Sequence, residues 1–168
     1  AGCGTNTPGN NPGHTKTDSS VTSLTDNITV TSVKTDITSF DQLKNGINEF
    51  SMNMYSALPA DENIFYSPYS IASALSMLDV GAGGTTKNEL ENALGITDLD
   101  KWNDEMKAYL SKDWSQNTFV NTANSVWMNK GTTWAANINS DFLTPAKDYY
   151  SGEIYEADFD GQADKVVQ

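Results

Sequence analysis

The chain has 168 residues and a formal net charge of −12, with 22 acidic residues, ten basic residues that are all lysine, and no arginine. This charge argues against nucleic-acid binding, which needs a cationic surface, and against charge-driven binding to anionic lipid. The length and the 38% share of hydrophobic residues are compatible with one globular domain that has a sizeable core.

Residues 1–38 are dominated by Thr, Ser, Asn, Gly and Pro. Such a stretch buries too little apolar area to offset its ordering entropy, so we expect a disordered linker. Within it, residues 21–33 alternate weakly, which leaves an edge strand open as an alternative. The single histidine, His14, lies in this tail and is expected to be solvated.

The single cysteine, Cys3, excludes an internal disulfide. It follows Ala1 and Gly2 and precedes a polar stretch, an order that resembles the end of a bacterial lipoprotein signal, where the cysteine is lipidated. The apolar segment that precedes such a cysteine is not in this sequence. We take Cys3 as a lipidation candidate, with a chance cysteine near a chain end as the alternative, and we predict no transmembrane helix.

The first predicted helix covers residues 40–58. Its apolar residues recur at steps of three and four, which is typical of a helix with one buried face. They are Leu43, Ile47, Phe50, Met54 and Leu58. Ser39 with Gln42 predicts a capping box, and Gly46 should weaken the helix by about 1 kcal/mol relative to alanine.

The rest of the chain is predicted to pack around the stretch 63–84. Residues 64–66 form a short β-prone run. Ser67 followed by Pro68 predicts an N-cap and a first helical residue. Residues 70–78 carry no charge and are apolar or small all round, which indicates a buried helix, and glycines follow it.

Two further helices are predicted after this stretch. Thr86 and Glu89 predict a capping box at the start of a short helix that ends at Gly95. The glycine-rich segment before it lacks the spacing of a phosphate loop. Residues 99–112 predict an amphipathic helix whose buried side is ordinary core. That side is made of Leu99, Trp102, Met106, Tyr109 and Leu110.

The C-terminal part alternates strand, helix and strand. Residues 119–128 have apolar side chains on both faces, which predicts a strand covered on both sides. A helix is predicted over 138–150, with Pro145 expected to kink or delay it, and a strand over 153–159. A helical pattern starts at Ala163 and is still incomplete at Gln168, so we expect a fragment of a larger domain.

The motifs of common enzyme sites are absent from the sequence. There is no zinc-ligand spacing, no nucleophile elbow and no partner for a cysteine nucleophile. One histidine in a predicted tail makes a Ser-His-Asp site a poor interpretation. We therefore predict a protein that is not an enzyme and that uses neither a metal nor a cofactor.

Several short motifs occur in one order along residues 40–168, each on an element predicted above. They are NEFS with MY at 48–55, ENIFYSP with SI at 62–71, GA with TT at 81–86, ANSVW at 123–127, DFL at 141–143 and ADF at 157–159. Together they resemble the N-terminal half of a serpin, a family of suicide inhibitors of serine and sometimes cysteine proteases.

The resemblance implies an α+β fold, the N-terminal portion of the serpin fold, in which residues 39–168 are an incomplete domain. A protease cleaves a reactive loop and is trapped when the loop inserts as a strand into the large sheet, a mechanism known for the family. That loop belongs to the C-terminal half and is not in this fragment. Ser67 and Ser70 fall on the family's shutter, where the sheet parts, and Asn63 is expected to hydrogen-bond nearby. An N-cap and a packing serine are equally compatible with the residues alone.

The expected function is inhibition of a serine protease, or of a cysteine protease, by a monomeric intact protein. The expected location is extracellular or on the cell surface, with membrane contact through a lipid on Cys3 and no nucleic-acid partner. The alternatives are a non-inhibitory serpin that acts as a binding or chaperone-like surface protein, and an unrelated lipoprotein binding module.

Overall fold

The computed structural model describes residues 21–59, 61–112, 122–133 and 135–160. These residues form helices and strands whose combination confirms the predicted α+β class. In chain order they are β1 Val21–Ser23, α1 Asp41–Ala57, α2 Pro68–Asp79, α3 Gly84–Leu94, α4 Leu99–Leu110, β2 Asn124–Asn129, a 3₁₀ turn Ala135–Asn137, α5 Ser140–Tyr150 and β3 Gly152–Ala157.

The three described strands form one sheet in the order β1-β3-β2. Strands β2 and β3 are parallel, with Asn124 opposite Gly152 and Asn129 opposite Ala157, and α5 connects them. Strand β1 runs antiparallel to β3 on its other side. Because β3 lies between two strands, both of its edges are paired.

The core lies where the helices meet one another and one face of this sheet. Its fully buried large side chains include Leu94, Trp102, Met106, Met128, Tyr150 and Ile154. Helix α2 packs against α1, α3 and α5, which confirms its expected central place. It is nevertheless not buried all round, because Leu78 is 46% exposed and Ser70 is exposed, while its other residues are buried or half-buried.

Two glycines permit close approach between elements. A Cβ on Gly46 would lie 2.4 Å from the carbonyl oxygen of Leu94 and 2.7 Å from the ring of Trp102. A Cβ on Gly152 would lie 2.4 Å from the sulfur of Met77. Gly46 lowers the stability of the helix, but a larger side chain at this position would clash with Leu94 and Trp102.

Two predicted capping boxes are wrong. Helix α1 has Phe40 at its N-cap without a side-chain hydrogen bond, because Gln42 turns away and accepts the N–H groups of Thr97 and Asp98 at 3.0 and 2.9 Å. Glu105 of α4 accepts the Leu43 N–H instead, at 2.8 Å. Helix α3 begins at Gly84, which places Thr86 inside the first turn rather than at its cap.

The predicted strand at residues 64–66 is not formed. No strand of the described part of the chain runs beside it to supply ladder hydrogen bonds, and Phe65 is fully exposed. Strand β2 is also covered on one face rather than two within the described residues, since Trp127 is 40% exposed while Met128 is buried. The first part of the predicted strand, residues 119–121, lies outside the described residues.

Helix α5 starts two residues later than predicted and continues through Pro145 to Tyr150. Asn139 caps it, since its side chain accepts the N–H of Asp141 at 3.0 Å. The helix predicted from Ala163 lies outside the described residues.

The part of the predicted linker after residue 20 packs onto the body. Val21–Ser23 is β1, the edge strand left open by the sequence, and Thr25 is fully buried. The disordered interpretation is thus wrong for this part, because hydroxyl and backbone hydrogen bonds to β3 replace the missing apolar area. Residues 1–20, with Cys3 and His14, lie outside the described residues.

Candidate functional site

The start of α2 is built by the Ser67-Pro68 step as predicted. Ser67 is the N-cap, with φ −114° and ψ 103°, and its Oγ accepts the N–H of Ser70 at 3.2 Å. Pro68 occupies the first helical position, where a backbone N–H has no partner within the helix.

The hydroxyl groups of Ser67 and Ser70 meet at this helix start. Ser70 Oγ donates to Ser67 Oγ at 2.9 Å, and both hydroxyls are at the surface. Ser67 Oγ therefore accepts two hydrogen bonds from Ser70, one from its N–H and one from its hydroxyl.

Two tyrosines hold the segment in place. Tyr66 donates its hydroxyl to the carbonyl of Ser51 in α1 at 3.3 Å. The ring of Tyr69 lies 5.1 Å from that of Tyr109, and its hydroxyl contacts the sulfur of Met106 at 3.8 Å. Burial, with a smaller contribution from Tyr109, raises the pKa of Tyr69 to about 12, so this side chain remains a neutral phenol.

Asn63 lies four residues before the hydroxyl pair and is exposed. Its side chain borders a surface cavity of about 430 Å³, whose lining also includes Tyr55, Leu58, Glu62 and Ile64. No hydrogen bond joins the Asn63 side chain to another described residue. The structure thus joins Ser67 and Ser70 by hydrogen bonds, and within the described residues it forms no such bond between them and Asn63.

Two buried serines of α2 were not singled out in the sequence. Asn124 at the start of β2 donates its Nδ2 to Ser73 Oγ at 3.0 Å. Trp102 donates its Nε1 to Ser76 Oγ at 3.0 Å, and Ser76 donates in turn to the Ala72 carbonyl at 2.7 Å. The signal was present in the sequence, because serines occur at every third position from 67 to 76.

The far end of α2 carries a buried carboxylate. Asp79 is fully buried, with Lys87 Nζ at 3.4 Å from its Oδ2 and no described partner for its Oδ1. Burial raises the pKa of Asp79 above its usual value, and the charge of Lys87 opposes that shift in part.

The described ranges contain neither a metal-ligand cluster nor a membrane-spanning helix. No three His, Cys, Asp or Glu side chains of these ranges lie close enough together to hold a metal ion. None of the described helices combines the length and the apolar character needed to cross a bilayer.

The family model described as "Serpin (serine protease inhibitor)" matches residues 45–168. The chain belongs to the serpin family. This result confirms the resemblance drawn from the sequence motifs, and the matched range includes all the helices but the first turn of α1. It removes the alternative of a binding module unrelated to serpins.

Curated relatives include a neuroserpin from Mus musculus, 35% identical over 123 residues that cover 67% of this chain and 28% of the neuroserpin. A serpin-like protein from Thermococcus kodakarensis is 31% identical over 137 residues, which cover 74% of this chain and 31% of that protein. The chain thus spans less than a third of the length of these relatives.

Solved structures show the same fold. Emu (Dromaius novaehollandiae) ovalbumin aligns with a TM-score of 0.64 at 22% identity, over 74% of this chain and 36% of the ovalbumin. A cleaved kallistatin complexed with heparin aligns with a TM-score of 0.63 at 16% identity, over 77% of this chain and 39% of the kallistatin. The described helices and sheet therefore form part of a serpin fold.

Proposed function

We propose that the intact protein inhibits a serine protease by acting as a suicide substrate. The observation that carries this proposal is the family match over residues 45–168, because the family is described as serine protease inhibitors. In this proposal the fragment supplies the helices and the first strands of the sheet, and the remainder of the protein supplies the reactive loop.

The start of α2 is proposed as the shutter of this mechanism. Strand β2 is the end strand of the described sheet, and Asn124 ties it to Ser73 of α2. Insertion of a new strand requires neighbouring strands to slide over α2. The surface hydroxyls of Ser67 and Ser70 can exchange partners during that movement at small cost, and Asn63 is proposed to join them when it occurs.

The test is to incubate the intact gene product with trypsin-like, chymotrypsin-like and subtilisin-like serine proteases, and with a papain-like cysteine protease. We expect a band on a denaturing gel at the summed mass of one protease and the inhibitor. The same protease without its catalytic nucleophile is the control and should give no such band. Cleavage without a stable complex for every protease would contradict inhibition.

A non-inhibitory serpin is the second candidate. Solved structures with this fold include an ovalbumin and a lamprey angiotensinogen, so the fold alone does not decide between inhibition and another role. A binding or chaperone-like surface protein should be cut as an ordinary substrate and leave the protease active. Residual protease activity after stoichiometric mixing therefore separates the two candidates.

Cys3 is proposed to carry a lipid that holds the protein at the outer cell surface. The support is the order of small residues, cysteine and polar linker at positions 1–20. When the complete gene is expressed in the presence of a labelled fatty acid, the protein should carry the label. It should also partition into the detergent phase of a two-phase extraction. Cys3→Ser is the matched control, and equal labelling of this variant would contradict the anchor.

A further inference from the structure

Residues 21–34, which we call the strap, cover one edge of β3. Strand β1 pairs with the end of β3, with Val21 opposite Ala157 and Ser23 opposite Tyr155. The Leu24 N–H then donates to the carbonyl of Ile154 at 2.8 Å. The strap thereby continues the ladder beyond β1 itself.

A buried threonine completes this cover. Thr25 is fully buried, and its Oγ1 accepts the N–H of Ile154 at 3.2 Å while it donates to Glu153 Oε2 at 2.8 Å. Both backbone groups of Ile154 are therefore bonded to the strap. The Ile28 N–H donates to the Thr25 carbonyl at 3.1 Å, which turns the chain away from the sheet.

A second anchor lies between α4 and α5. Thr31 donates its N–H to Asp148 Oδ1 at 2.5 Å and its hydroxyl to Oδ2 at 2.8 Å. Lys107 donates to Thr31 Oγ1 at 2.5 Å and to Asp148 at 2.8 Å. At the end of the strap, Lys34 pairs with Asp104 of α4 at 2.5 Å. The strap thus joins the sheet to two helices.

We propose that the strap closes the outer edge of β3 against strand addition by a second copy of this chain. An unpaired edge is a template for another strand, and very short edge strands reduce that hazard. The strap replaces the six-residue edge of β3 by the three-residue edge of β1, after which the chain turns away. This inference holds whether or not the intact protein inhibits a protease.

The test compares two double variants of the intact protein in reducing buffer, where Cys3 cannot cross-link. Thr25→Val with Thr31→Val removes both anchoring hydroxyls and preserves side-chain shape. Thr22→Val with Thr29→Val is the matched control, because these two threonines belong to the same strap, are exposed and gain the same apolar groups.

In the anchor variant we expect the amides of residues 154–157 in β3 to exchange about 5- to 30-fold faster, since each lost hydrogen bond is worth about 1 kcal/mol. Sedimentation should show concentration-dependent oligomers of this variant and a monomer for the control. A peptide of residues 21–34 should return the oligomers to monomer.

A second preparation guards against a variant that fails to fold. A site-specific protease sequence inserted between the exposed Thr35 and Asp36 is cut after folding, and the freed strap is removed by dilution. We expect the strap-free body to self-associate until the peptide is added back. A monomer with unchanged β3 exchange would overturn the proposal, as would oligomers that form equally in the control or that ignore the peptide.

Discussion

Asp148, where the strap meets α4 and α5, and Asp79, at the end of α2, are both buried carboxylates beside a lysine. Their pKa values are shifted in opposite directions. Both oxygens of Asp148 accept hydrogen bonds, from Lys107 and from Thr31. Burial alone would raise the pKa of Asp148, but these bonds outweigh it and hold the pKa below its usual value. Asp79 has Lys87 at 3.4 Å and no described partner for Oδ1, so burial prevails and its pKa is raised.

Both carboxylates have a lysine beside them, so the two sites differ in how completely the carboxylate is hydrogen-bonded. The hydrogen bond from Lys107 lowers the pKa of Asp148 most, and the two bonds from Thr31, which is 117 positions away in the sequence, lower it further. The substitutions that follow test this contrast between well-bonded and poorly bonded groups.

The largest effect is expected from Asp148→Ala. This change leaves Lys107 buried without its charged partner, which should lower the free energy of unfolding of the intact protein by about 3–5 kcal/mol. Denaturant unfolding measures the loss. Asp26→Ala, at an exposed position of the strap, is the control and should change stability by less than about 0.5 kcal/mol. Equal losses for the two variants would show that the buried pair is not an anchor.

Ser76→Ala extends the contrast to a neutral buried group. It leaves the indole N–H of Trp102 without its acceptor in the core, which should cost about 1–3 kcal/mol. Adding Trp102→Phe removes the orphaned donor, so the double variant should lose less than the sum of the single losses. A double-mutant cycle measured by denaturant unfolding shows the coupling, and strict additivity would mean that this hydrogen bond contributes nothing.

Asp79→Asn should raise stability at neutral pH by up to about 1 kcal/mol, because it removes a poorly bonded buried charge. The contribution of protonated Asp79 is complete below the usual pKa of 3.8 and is lost as the pH rises through its higher folded-state pKa. The advantage of asparagine should therefore grow with pH. Thermal unfolding of both proteins from about pH 4 to about pH 8 measures it.

Asp148→Asn provides the opposite pH dependence as a control. The contribution of ionised Asp148 is present above the usual pKa of 3.8 and is lost as the pH falls through its lower folded-state pKa. The deficit of this variant should thus shrink only below pH 3.8. The contrast between the two sites breaks down if both asparagine variants follow the same pH dependence.

Ser70→Ala should have the smallest effect on stability, about 0.5 kcal/mol or less, because its exposed hydroxyl is replaced by water at Ser67. If the shutter proposal holds, the same variant changes the number of inhibitor molecules consumed per trapped protease. Titration of protease activity, alongside denaturant unfolding, separates these readouts. A large loss of stability would assign Ser70 to packing instead.

Local patterns were sufficient to predict most helices. The stripe that contains Leu43 and Phe50, the cap at Ser67 with Pro68, and the end of α3 at Gly95 were all predicted correctly. Each of these features depends on neighbours within one or two helical turns. The periodicity of side chains and the chemistry of helix ends therefore determine them.

The strap and the buried serine contacts depend on distant partners. Thr25 meets Glu153 across 128 positions, and Ser73 meets Asn124 across 51. A threonine-rich segment has the composition of a linker until such partners are known. The strand predicted at 64–66 is not formed for the converse reason. Its residues have high β propensity, but no neighbouring strand of the described residues supplies hydrogen bonds to them.

The most direct test of the proposed mechanism compares thermal unfolding of the intact protein before and after a single cut in its reactive loop. A protein that traps proteases by taking the cut loop into its sheet should unfold at a clearly higher temperature once it has been cleaved. An unchanged or lower unfolding temperature, with the cut confirmed by mass spectrometry, would contradict loop insertion.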